Sequence, residues 1–136
     1  MAKAKHLKML GIGDASLLGD ADFVRRLITD IVYRVGMQPL AEPVIHDVPL
    51  DLEKLGLEPF EDEGGVTGQL VGHVTLSTSH AFMFIALHTW PVRAEFNLDL
   101  YSCRYFEREE VEGFVQDICR CSKFQSKDVS FAADWE

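Results

Sequence analysis

The sequence predicts an α+β protein: a two-layer α/β sandwich with a mainly antiparallel sheet and two helices on one of its faces. Three patterns carry this prediction. Apolar residues recur at helical spacing in two separate stretches, 20–36 and 107–121. Between them, residues 69–103 read as strands joined by short turns. Both helical stripes are one-sided, so each helix needs a sheet face to cover. The 136 residues are expected to form one domain, 1–136, long enough for a single core.

In chain order, His6 to Ile12 is a short apolar run ending in Gly11-Ile12-Gly13 and reads as a first strand. Asp20-Ala21-Asp22 opens a helix, with acids at the positive end of its dipole. Phe23, Val24, Leu27, Ile28, Ile31, Val32 and Val35 follow on one stripe, and Gly36 ends it. Pro39 and Pro43 interrupt the next stretch, so a strand there is broken or lies at an edge. Pro49 to Gly65 carries six acids and closes on two glycines. It reads as a surface insertion, with one helical turn at Leu50 to Leu55.

Gln69 to Leu76 and Ala81 to Trp90 flank Ser77-Thr78-Ser79-His80 as one long hairpin. Pairing it about that turn sets His73 opposite Phe84. Pro91-Val92-Arg93 turns the chain into a third strand, Ala94 to Cys103. There Phe96, Leu98 and Leu100 alternate with Glu95, Asn97, Asp99 and Tyr101, giving one buried and one polar face. Glu107 to Cys121 is the second helix, and Asp128 to Phe131 reads as a last edge strand.

Composition narrows the function classes. The net charge of −9 argues against a nucleic-acid partner, which needs a positive footprint. It suits a soluble protein and is compatible with a cationic substrate. No run approaches the length of a membrane span, and the basic start lacks the features of a signal peptide. The three cysteines, Cys103, Cys119 and Cys121, are an odd number and read as reduced thiols in a cytoplasmic protein.

The chemistry-bearing residues fall in one stretch: Ser79-His80, then His88-Thr89-Trp90-Pro91, then Asp99-Leu100-Tyr101-Ser102-Cys103. In that order they resemble the small prokaryotic S-adenosylmethionine decarboxylases, pyruvoyl-dependent enzymes of polyamine biosynthesis. The matching order of elements covers nearly the whole chain, starting at Lys5-His6-Leu7. The resemblance implies autocatalytic cleavage between Thr78 and Ser79, with Ser79 becoming the pyruvoyl group. Its carbonyl would draw electrons from an amine-bearing substrate as carbon dioxide leaves. His88 would assist processing, and Cys103 would return a proton to the product. The family also implies a homodimer. No spacing motif among His73, His88 and Cys103 supports a metal site, so none is expected.

The chain departs from the family in ways that carry their own expectations. Seven residues, Ala81 to Leu87, separate Ser79-His80 from His88, where the family has three. The strand before the turn is longer by the same four residues, so the hairpin tip moves outward by roughly 13 Å at ~3.3 Å per residue. The family's serine position then falls on Met83, the level that Cys103 should face. Thr78 replaces the family's glutamate before the cut. Val92 stands where the family has a glutamate resembling a ribose ligand, which leaves Glu95 as the replacement. His73, Phe84 and Glu95 are the candidate substrate contacts, with His73, Phe84 and His88 sharing one face near Cys103. Two functions follow. One is a decarboxylase of S-adenosylmethionine or a smaller amino acid such as ornithine or arginine. The other is a non-processing homologue serving as a small-molecule-binding or regulatory partner subunit.

Overall fold

The computed structural model describes residues 3–48, 65–75 and 79–131. Its strands are β1 (Lys3–Ile12), β2 (Gln38–Pro39), β3 (Val44–Val48), β4 (Gly65–Thr75), β5 (His80–Trp90), β6 (Glu95–Glu107) and β7 (Lys123–Asp128). Its helices are α1 (Ala15–Leu18), α2 (Ala21–Arg34) and α3 (Arg108–Ile118). The strands form one sheet in the order β2-β4-β5-β6-β1-β7, with β3 also paired to β4. Every pairing is antiparallel. The predicted two-layer α+β sandwich is the fold observed.

The apolar stripe of α2 packs on β4 and β5, and α3 packs on β1. Phe23, Val24, Leu27, Ile28, Ile31 and Val32 of α2 are buried, as the helical spacing predicts. Asp20 caps α2 by accepting from the amides of Asp22 and Phe23. Glycines let the helix approach closely. A Cβ at Gly68 would sit 2.9–3.2 Å from Ile45, Val24 and Ile28, and one at Gly72 would sit 2.6 Å from Val32. The sheet residues under the helices, among them Leu7, Met9, Met83, Ile85, Leu87, Leu98 and Leu100, complete the core.

Three details depart from the sequence reading. Helix α1 was not expected, because four residues carry no usable periodicity. It forms because the Asp14 carboxylate accepts from both the amide and the hydroxyl of Ser16. The last strand is Lys123–Asp128, not Asp128–Phe131. Arg120, at φ 54, turns the chain straight from the end of α3 onto the free edge of β1. Strand β6 runs four residues past Cys103, to Glu107. The helical turn expected at Leu50 to Leu55 lies outside the described residues. Among the described residues, no helix is long and apolar enough to cross a membrane.

One buried hydroxyl ties the layers together. Thr89 donates to the Leu18 carbonyl at 2.7 Å and accepts from the Val66 amide at 3.1 Å. Gly65 lies so close to this strand that an added Cβ would collide with the Thr89 carbonyl. Replacing Thr89 by Val keeps the shape and leaves both backbone partners unpaired. Chemical denaturation should show Thr89→Val less stable by about 1–3 kcal/mol. A change within about ±0.5 kcal/mol, the ordinary range for an inconsequential substitution, would remove this bond from the account.

Candidate functional site

The described helices cover one face of the sheet and leave the other open. Strand periodicity sends alternate residues of β4, β5, β6 and β1 to that open face. It receives His73 from β4, the row His80, Phe82, Phe84, Ala86, His88 and Trp90 from β5, and Glu95, Asn97, Asp99, Tyr101 and Cys103 from β6. All candidate side chains among the described residues therefore share one face, apart from Ser79, which stands exposed just before β5. Thr78 lies outside the described residues.

The hairpin register corrects one expectation. Thr75 pairs with His80, so His73 sits opposite Phe82, and Phe84 sits opposite Val71. The ladder ends one residue earlier than the sequence suggested. Because side chains alternate with a period of two, this two-residue offset changes partners without changing faces.

The β5–β6 connection sets the second distance. Pro91–Arg93 form a single 3-10 turn, and Ala94, at φ 56, returns the chain. Trp90 pairs with Glu95, His88 with Asn97 and Met83 with Ser102. Cys103 thus lies at the level of Phe82, whose amide donates to the Cys103 Sγ at 3.1 Å. This is within one residue of the expected Met83 level, although the Met83 side chain points into the core.

Two groups result, one at each end of the open face. At the hairpin tip are Ser79, His80, His73, Phe82 and Cys103. The rings of His73 and His80 meet edge to face with centroids 6.4 Å apart, and His80 meets Phe82 in the same way at 5.6 Å. At the other end is His88. Its Nδ1 lies 2.6 Å from the Thr67 hydroxyl, and its ring is edge-on to Trp90 at 4.3 Å. Glu95 is half-buried beside Trp90, while Val92 is 77% exposed. Six strand residues separate the level of His88 from that of Cys103, about 20 Å at ~3.3 Å each. His73, Phe84 and His88 share a face, but the expected cluster of His73, His88 and Cys103 does not form within one chain. Among the described residues, no group of three or more His, Cys, Asp or Glu side chains is arranged to hold a metal.

Ala86 is the one small side chain in its row, and it floors a groove of about 330 Å³ beside His88. Lys8, Leu10, Thr67, His88, Asn97 and Asp99 contribute to its walls. The Asp99 carboxylate meets His6 Nε2 at 2.6 Å and Lys8 Nζ at 3.3 Å. Thr67, Asn97 and the His6–Asp99 pair escaped the sequence reading as site residues. Their signal was alternation alone, which places them on the polar face without singling them out.

The other cysteines lie away from this face. Cys119 is fully buried, and burial, then the neighbouring Cys121, pushes its thiol up to about 12. Burial also raises Cys121. In the folded protein at about pH 8, iodoacetamide should alkylate the half-exposed Cys103 well before Cys119, as read by peptide mass spectrometry. Equal rates would mean that Cys119 is not held in the core.

A family model described as S-adenosylmethionine decarboxylase matches residues 7–131, nearly the whole chain. No curated protein shows a significant match.

Proposed function

Because the chain belongs to the S-adenosylmethionine decarboxylase family, we propose that it is a pyruvoyl-dependent decarboxylase that cuts itself between Thr78 and Ser79 and works as a homodimer. One observation carries this reading. The open face holds two incomplete groups, Ser79 with Cys103 at one end and Thr67 with His88 at the other. A two-fold axis in the plane of the sheet and across the strands reverses the strand direction of the partner. Face-to-face packing about it sets Ser79 and Cys103 of one protomer against the partner's Thr67 and the partner's His88. The apolar side chains Leu10, Val71, Phe82, Phe84, Tyr101 and Tyr105, all at least 40% exposed, favour covering this face.

The residues present suit a pyruvoyl group at Ser79. Ser79 is exposed and lies beyond the last ladder pair, Thr75 with His80, so a cut before it leaves the β4–β5 pairing intact. A pyruvoyl carbonyl there would supply the electron sink for an amine-bearing substrate. Around it, this chain's own groups have separable tasks. The partner's imidazole, held through Nδ1 by a threonine hydroxyl, is oriented to move the proton that processing requires. The Cys103 thiol, fixed by the Phe82 amide, is placed to return a proton to the product. His73 and Phe84 bound the substrate at the tip, and Glu95 at the other end supplies a carboxylate that Val92 does not.

The same distances favour a second reading. Nine residues, about 30 Å at ~3.3 Å each, separate Ser79 from His88 within one chain. A protomer that never pairs face to face would not process. It would serve as a small-molecule-binding or regulatory subunit.

Intact mass under denaturing conditions separates the two readings. Two fragments divided at Thr78-Ser79 are expected; a single chain of 15.3 kDa would sink the pyruvoyl reading. Where processing occurs, co-expression of Ser79→Ala and His88→Ala chains tests the composite site. Neither variant should process efficiently alone, whereas the His88→Ala chain should be cut once paired with a Ser79→Ala partner that supplies His88. No cleavage in the mixed dimer would place the processing groups within one chain.

A further inference from the structure

Ala86 interrupts the row of open-face side chains on β5, and the groove that it floors runs across β5, β6 and β1. On the tip side of that groove the face rises. Phe84 and Tyr101 stand opposite each other, one side-chain step from Ala86 and Asp99, with Phe82 beyond them. All three aromatic residues are at least 40% exposed. Each protomer therefore carries an aromatic ridge at the level of Phe84 and a groove at the level of Ala86.

The level of Ile85 lies midway between ridge and groove. A two-fold axis across the strands at that level exchanges the places of Phe84 and Ala86, and of Tyr101 and Asp99. Stacked sheets lie ~10 Å apart, so the ridge of each protomer reaches the partner's groove. Ile85, Leu100 and Leu7 share the axis level and point into the core, so none of them meets its own copy. The composite site calls for the same axis on separate grounds. Cys103, at the level of Phe82, faces the partner's His88 when the axis passes halfway between Phe82 and His88, which is again Ile85. The polar groups agree. The axis brings the Tyr101 hydroxyl toward the partner's Asp99, and a covered phenol needs such an acceptor. His6 Nε2 at 2.6 Å and Lys8 Nζ at 3.3 Å hold the Asp99 carboxylate in place.

We propose that the groove over Ala86 is the socket for a second copy of this chain. Phe84 and Tyr101 of each protomer seat in the partner's groove and fix the register in which the two sheets meet. Phe84, besides bounding the substrate, is then a positioning residue for self-cleavage, acting through the placement of the partner's His88. The proposal rests on the homodimer reading and adds to it the axis and the side chains that set it.

Exchanging knob and hole tests this. Phe84→Ala removes both knobs of the dimer, and Ala86→Phe fills both holes. Because the axis swaps the two positions, the double variant again sets one phenylalanine against one alanine at each contact. An equimolar mixture of the two single variants does the same. In sedimentation velocity over a range of concentrations, each single variant should associate at least about tenfold more weakly than wild type, while the double variant and the mixture recover. Cleavage at Thr78-Ser79, read by intact mass, should fall and return in the same order, and a higher concentration of Phe84→Ala should restore it. If the wild-type dimer is never cut, the association data alone decide. In chains that keep the wild-type circular dichroism, association that survives both single substitutions, or that neither exchange restores, would overturn this register and leave the homodimer standing. A wild-type chain that stays monomeric at every concentration would sink the homodimer reading and this one with it.

Discussion

The register of the antiparallel meander β4–β5–β6–β1 is the constraint on which the rest of this structure depends. Two short connections fix it. The β4–β5 ladder ends with Thr75 paired to His80, and the 3-10 turn after Trp90 pairs Trp90 with Glu95. Once these are set, the period of two decides which side chains face the helices and which face outward. A slip of one residue would bury His80, His88 and Asp99 and expose Met83, Leu87 and Leu98. The hydrophobic effect therefore enforces the same register that positions the functional side chains.

The buried layer and the open layer solve different problems with the same strands. On the helix side, Gly68 and Gly72 bring α2 down onto β4, and the Thr89 hydroxyl joins β5 to the end of α1. On the open side, no described element covers the aromatic residues, and polar groups gather in two places about 20 Å apart. A sheet is too stiff to fold those ends together. In the proposed dimer, a second copy related by reversal of the strand direction would meet that requirement without distorting either protomer. The four-residue lengthening of each hairpin strand that the family resemblance implies would preserve the faces, because four is an even number.

Much of this was legible in the sequence. The stripe from Phe23 to Val35 fixed α2 to within a residue or two of its observed span, because seven apolar residues at helical spacing leave little freedom. The alternation through Phe96, Leu98 and Leu100 gave β6 its buried face. The order of Ser79-His80, His88-Thr89-Trp90-Pro91 and Cys103 named the family that the chain matches over residues 7–131. Weaker local signals failed. The cap at Asp14 built a four-residue helix without periodicity, and the last strand was placed by the αL turn at Arg120 instead of by its own residues. The partner of His73 was misread because turn chemistry at a serine- and threonine-rich tip does not specify where the ladder ends.

The sequence by itself determined the fold class, the two helical stripes, the buried and polar faces of the third meander strand and the family, since these follow from periodicity and local motif. Tertiary structure alone decided distances across the sheet. It separated Cys103 from His88, joined Thr67 to His88, linked His6 to Asp99 across 93 positions of sequence, and set Lys127 beside Lys8. Such contacts depend on strand order and register, which are properties of the packed sheet and leave no mark on the spacing of residues along the chain.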